Sequence, residues 1–190
     1  MLNHKLFITQ LQSGTSLIEV MVTIVIMAFG LLGLAGLQMK TRSIEMESYQ
    51  RAQAMVILNG MASQLQMNRN NAETYVAAGV IGESVENCTG KVGADYDLCQ
   101  WGNALKGAAE SSGGTNLGAM IGAKACVAEI SAPVPTGACA PGVYEITVTW
   151  QGLFKTVAPN NTCAEGEYGE DDGLRRAISL RVASGVTSCI

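Results

Sequence analysis

The side chains in this sequence that could take part in chemistry fall in two places. Near the start, Gln12 to Val20 reads QSGTSLIEV, where the pair Gly14-Thr15 precedes the first acid of the chain, Glu19. Further on stand six cysteines, Cys88, Cys99, Cys126, Cys139, Cys163 and Cys189. A cut between Gly14 and Thr15 would create an α-amino cation one helical turn from Glu19, and the two charges could pair. An acid at the centre of an inserted helix costs about 2.5 to 3.5 kcal/mol, and less near an end, so such a partner would offset the cost. A local reading competes with this one. Ser16 and Glu19 also match a capping box, in which Ser accepts a backbone N–H and Glu reaches back to another.

Cysteines serve as nucleophiles, metal ligands or disulfides. No C-x2-C pair exists and the one histidine, His4, lies before Gly14, which argues against zinc. Six cysteines allow 15 pairings, so spacing alone leaves connectivity open. The preferred arrangement is sequential: Cys88 with Cys99, Cys126 with Cys139 across a Pro-rich turn, and Cys163 with Cys189. Each bridge would contribute about 3 kcal/mol on the chain-entropy view. Their even number and their position after the apolar run imply an oxidising compartment.

Catalysis is hard to assemble from what remains. A chain cut after Gly14 has no histidine, there is no G-x-S-x-G elbow, and the cysteines are committed to pairing, so no enzyme, cofactor or metal site is expected. The acidic run Glu165, Glu167, Glu170, Asp171 and Asp172 fits no EF-hand spacing and reads as a solvated loop instead of a Ca2+ site. The formal charge is −4 over 190 residues. Without Met1–Gly14, which holds one Lys and no acid, 11 basic face 16 acidic side chains, giving −5 and no electrostatic footprint for nucleic acid.

These residues need elements to position them. Val20 to Leu37 contains one polar side chain, Thr23, and at 1.5 Å per residue spans about 27 Å, close to a bilayer's hydrocarbon core. The stretch before it is short and mostly polar, with its small-residue cut point ahead of the apolar run, which is the wrong order for a secretory signal peptide. The helix is expected to continue, because Ala54, Leu58, Met61 and Leu65, flanked by Met55 and Ala62, form an apolar stripe opposite Arg51, Gln53, Asn59 and Gln66. Gly30, Gly33 and Gly36 suggest either local bending or close helix packing. The nine methionines suit irregular packing. Asp97 to Leu105 reads as a short helix. Tyr144, Ile146, Val148 and Trp150 alternate with polar residues as in a half-buried strand, and Lys124–Ile130 and Arg176–Val182 are weaker strand candidates. Pro133, Pro135 and Gly137 mark a loop.

The leader ending in Gly14, followed by TSLIEVMVTIVIMAFGLLGLAGLQ, resembles the processing site of type IV pilin-like proteins. Within that group SLIEVMV, GLLGLAGLQ, RAQAMVILNGMASQLQMNRN and YDLCQWGNAL resemble the minor pilins of the type IV pilus modification protein PilV family. The likeness is strongest from Gln12 to Asn70, moderate around Tyr96–Leu105 and thin in the C-terminal half. Thr15 departs from the Phe or Met commoner at that position.

The resemblance implies an α+β pilin fold, a long helix of roughly Thr15 to Arg69 packed on a C-terminal antiparallel sheet of three or four strands. It implies a leader at 1–14 removed by a prepilin peptidase with N-methylation of Thr15, a transmembrane or filament-core helix at 15–38, an amphipathic continuation at 39–70 and a disulfide-rich head at 71–190. Glu19 would pair with the N-terminus of a neighbouring subunit. The implied partners are other minor pilins, the major pilin, the peptidase and inner-membrane lipid, with the head periplasmic and later at the cell surface. The implied role is priming or modifying pilus assembly, with consequences for twitching motility and adhesion. A minor pseudopilin of type II secretion, a pilus-tip adhesin and a membrane-tethered enzyme are the rivals.

Overall fold

The computed structural model describes residues 14, 16–107, 111, 112, 115, 116, 120–134, 136, 137 and 139–184. Thr15, Pro135 and Cys189 lie outside the described residues. The chain divides into two compact units, Met1–Ser43 and Ile44–Ile190.

Helix α1, Leu17–Met67, supplies the whole described secondary structure of the first unit and begins the second. In the first unit every side chain from Leu17 to Arg42 is exposed, and the helix is long and apolar enough to cross a membrane. A helix that is hydrophobic all round requires an apolar environment on every side. Its one polar residue between Val20 and Leu37 is satisfied internally, since Thr23 Oγ1 donates to the Val20 carbonyl at 2.8 Å. The helix runs through Gly30, Gly33 and Gly36.

In the second unit the same helix becomes amphipathic. Gln50, Ala54, Leu58, Met61, Ala62 and Leu65 are buried at helical spacing, which extends the expected stripe by one turn to Gln50. Met55 proves exposed, because it lies a residue off that line. A 3-10 turn at Arg69–Asn71 leads into α2, Ala72–Ala77, an element with no clear signal in the sequence. Helix α3 spans Gly93–Leu105, starting four residues before the expected Asp97, and buries Trp101 and Leu105.

Two very short strands, β1 (Ser111–Ser112) and β2 (Thr115–Asn116), pair with each other. The main sheet holds β3 (Ile121–Ser131), β4 (Gly142–Gln151) and β5 (Arg175–Ser184) in the antiparallel order β3-β4-β5. The architecture is therefore α+β, a long N-terminal helix with a three-stranded antiparallel sheet. Register follows the alternation: Val127, Ile146 and Leu180 align across the strands, as do Ala125, Val148 and Ile178.

Tyr144, Ile146, Val148 and Trp150 join Ala54, Leu58, Met61 and Leu65 of α1 in one core. Strand β4 departs from strict alternation between Ile146 and Trp150, where all five side chains are buried. The reason lies in the segment between β4 and β5, which folds back over the second face of the sheet and covers Thr147 and Thr149. A sheet covered on both faces loses its period of two.

Candidate functional site

The residues singled out in the sequence lie in two regions, the lip of α1 and the cysteine-bearing head.

At the lip, Gly14 is exposed, its φ is not in the left-handed region, and a Cβ there would meet nothing within 4 Å. Among the described residues neither packing nor backbone conformation requires glycine there. The first turn of α1 closes on the Ser16 carbonyl, which accepts from Glu19 N–H at 2.9 Å and Val20 N–H at 3.3 Å. The capping box does not form: among the described residues neither the Ser16 hydroxyl nor the Glu19 carboxylate has a hydrogen bond or ion pair. Glu19 is exposed in the first helical turn, where the helix dipole favours an anion. The arrangement is an exposed carboxylate at the mouth of an apolar helix, with no cation beside it among the described residues.

In the head, Cys88 and Cys99 are bridged as anticipated, tying the loop before α3 to that helix across a Cα separation of 5.7 Å. Around this bridge Asn103 Nδ2 donates to the Glu86 carbonyl at 2.8 Å, and Lys91 pairs with Glu86 at 2.5 Å. A cleft of about 540 Å3 runs along the same loop, between Val80–Glu86 and the face of α3 carrying Asp95, Leu98 and Gly102.

The second bridge corrects the sequential pairing. Cys126 joins Cys163, with Cα atoms 5.8 Å apart, so neither Cys126–Cys139 nor Cys163–Cys189 exists. Cys126 sits mid-strand opposite Thr147, on the face that the β4–β5 segment covers, and that segment delivers Cys163 to it. Cys139 is also disulfide-bonded.

The covering segment is organised by a residue the sequence reading missed, Arg175, whose side chain is 2% exposed. Its Nη1 donates to the Asn161 carbonyl at 2.7 Å, the Asn161 side chain at 3.0 Å and the Cys163 carbonyl at 2.9 Å, and its Nη2 to the Pro159 carbonyl at 3.2 Å. Its Nε lies 3.0 Å from Asp172 Oδ2. Asp172 in turn accepts from Gly166 N–H at 2.9 Å.

The acidic run is thus not simply a solvated loop. Asp172 is buried against Arg175, Glu167 pairs with Lys124, and Asp171 pairs with Lys155 at 3.0 Å. Lys155 and the Gly173 amide hold the Asp171 carboxyl below the usual carboxylate range. The carboxylates face different cations, and among the described residues no group of three or more His, Cys, Asp or Glu side chains could hold a metal ion.

Two further sets of contacts brace the second unit, the first of them on α1. Glu47 Oε1 accepts from the Leu153 amide and from the Arg176 guanidinium, both at 3.2 Å. At the far end, Tyr75 stacks on Trp101 with centroids 5.0 Å apart, while Tyr75 Oη donates to Asp97 at 2.5 Å and Asn68 donates to the same carboxylate oxygen at 3.1 Å. Burial, and then the hydrogen bond to Asp97, push the Tyr75 hydroxyl well above the ordinary tyrosine range.

No family model matches the chain, and no curated protein or solved structure matches it either.

Proposed function

We propose that this chain is a minor pilin of the type IV pilus, made with a leader that a prepilin peptidase removes after Gly14 and held in the inner membrane by the first half of α1. The observation that carries the reading is the lip of that helix. A glycine that no described residue packs against is followed five residues later by a carboxylate with no partner among the described residues, at the entrance to an apolar helix in which every side chain from Leu17 to Arg42 is exposed. A peptidase that needs a residue without a Cβ accounts for Gly14. The amine it uncovers at Thr15, still charged after N-methylation, accounts for Glu19: the carboxylate pairs with the N-terminus of a neighbouring subunit when the helix leaves lipid for a filament of like helices. Charge pairing in an apolar environment favours association strongly, because an unpaired acid there is costly.

The head supports the same reading. A small α+β unit braced by disulfides suits an oxidising periplasm or cell surface, and its buried side chains are spent on packing and on fastening loops. In this role the chain acts by assembly with other minor pilins and the major pilin, priming or modifying the pilus and through it twitching and adhesion, with no catalysis of its own.

Mass spectrometry of pili sheared from the native host tests the proposal. A chain beginning at N-methylated Thr15 is the expected result; an intact Met1 leader, or absence from the pili of a piliated strain, overturns it. Loss of protein export with normal piliation on deletion would assign the chain to type II secretion, and normal piliation with lost attachment would assign it to adhesion.

A further inference from the structure

The two edges of the main sheet are built differently. Along β3 the ladder is interrupted between Ile121 and Lys124 and again between Glu129 and Ser131, and Ile81 exchanges backbone hydrogen bonds of 2.8 and 3.0 Å with Ala125 on the outer side. Irregularities and covering segments of this kind stop an edge from recruiting another strand. Among the described residues strand β5 has neither. It pairs with β4 in unbroken register from Arg175 to Ser184, contains no proline, and no described strand lies on its outer side. Alternate residues of an antiparallel strand turn their N–H and C=O groups away from the partner; the Arg175 N–H is taken by the Asp172 carbonyl at 2.9 Å, and from Ala177 on β5 presents a row of donors and acceptors with no partner among the described residues.

The side chains along this edge indicate what would complete it. On the α1 face, Ile178 and Leu180 are only partly buried against the core. On the other face Ser179, Arg181 and Ala183 are exposed. The charged residues of β5 are Arg175, Arg176 and Arg181, all cationic in a chain of net charge −4. Arg175 and Arg176 are enclosed by their partners, whereas the Arg181 side chain, 3.0 Å from Glu145, is 69% exposed.

We propose that β5 accepts an extended segment of another polypeptide as a fourth strand, one in which apolar residues alternate with acids. The apolar residues complete the burial of Ile178 and Leu180, an acid lies beside Arg181, and the main-chain ladder supplies the rest of the affinity, as in other cases of strand addition. A second copy of β5 does not fit, because the one exposed charge it would bring to the edge is a second Arg181, with no acid beside it. The inference does not rest on the filament role, since a strand can be added in the membrane-held state as well.

Two measurements on the full-length chain test it. In detergent, hydrogen exchange should find every second amide of β5 from Ala177 to Ala183 unprotected; uniform protection would mean that the chain covers this edge itself and would overturn the proposal. In the native host, a benzophenone amino acid placed at Ala183 should cross-link to an acid-bearing extended segment of a different protein. Arg181→Glu should lower that cross-link about fivefold, while Arg181→Gln lowers it less; because Arg181 faces Glu145 across the strands, both variants are assayed well below their own melting temperatures, so that lost stability is not read as lost binding. A cross-link only to a second copy, only within the chain, or to no polypeptide overturns the proposal, as does equal cross-linking in the charge-reversed variant.

Discussion

Glu47 on α1 and Arg176 at the start of β5, 129 positions apart in sequence, meet at 3.2 Å, and the same Glu47 oxygen accepts the Leu153 amide. Arg176 also donates to the Phe154 carbonyl at 2.5 Å and the Thr156 hydroxyl at 2.7 Å, so one guanidinium joins helix, strand and covering loop. Gly152 makes room for it, since a Cβ there would fall 2.6 to 2.8 Å from the guanidinium. A double-mutant cycle with Glu47→Gln and Arg176→Met should return a coupling of about 1 kcal/mol, because the pair is partly buried and shares hydrogen bonds. Thermal unfolding of the chain in detergent measures it. Coupling near zero would reduce the contact to an incidental surface pair.

Arg175 should matter more than Arg176. Arg175→Ala leaves Asp172 buried beside no cation and strips four acceptors, which should cost about 3 to 5 kcal/mol. Replacing Asp172 as well, with Asn, should recover part of the loss, because the orphaned charge is then gone. Equal instability of the single and double variants would show that the carboxylate contributes nothing.

Non-reducing peptide mapping should recover Cys88 linked to Cys99 and Cys126 linked to Cys163, with no Cys126–Cys139 peptide. The Cys126→Ser, Cys163→Ser double variant should lose about 2 to 4 kcal/mol, since the bridge closes a loop of 37 residues and holds the segment that covers the sheet. Limited proteolysis should then cut first between Leu153 and Leu174.

Stability should fall at alkaline pH. Burial raises the hydroxyl pKa of Tyr75, Tyr144 and Tyr168 above that of an unfolded tyrosine. A raised pKa means that the unfolded chain loses its protons first, so the contribution is fully present below about pH 10 and is lost as pH rises beyond it. Melting temperature between pH 8 and 11 should drop, and Tyr75→Phe should make the drop shallower although it leaves Asp97 with one donor fewer. A curve of unchanged slope in that variant would remove Tyr75 from the explanation.

Glu19→Ala should leave cleavage after Gly14 largely intact and lower the amount of chain recovered in sheared pili by tenfold or more, on the order of 1.4 kcal/mol for a lost charge pair. Gly14→Val should instead leave the leader in place. Undiminished recovery of the Glu19 variant would sink the pairing role and leave the processing site standing.

The sequence by itself determined the elements whose periodicity runs through consecutive residues. The apolar run from Val20, the stripe Ala54, Leu58, Met61, Leu65 and the alternation from Tyr144 to Trp150 each report a local environment, and the structure places them in an exposed helix apolar enough to cross a membrane, the buried helix face and the central strand. Gly14 and Glu19 stand five residues apart, so their placement at the start of α1 was legible for the same reason, whereas their proposed roles rest on the minor-pilin reading. Only the tertiary structure decided the partner of Cys126, the burial of Asp172 and the role of Arg175. Sequence spacing favoured Cys139 as the nearest following cysteine, but the segment between β4 and β5 folds back over the sheet and brings Cys163 to the strand. That same fold-over turns an acidic, glycine-rich stretch, which reads as solvent-facing, into a shell around a guanidinium. Contacts of this kind depend on which face of a sheet a long loop covers, and that is set by the packing of the whole unit and not by the residues beside them in the chain.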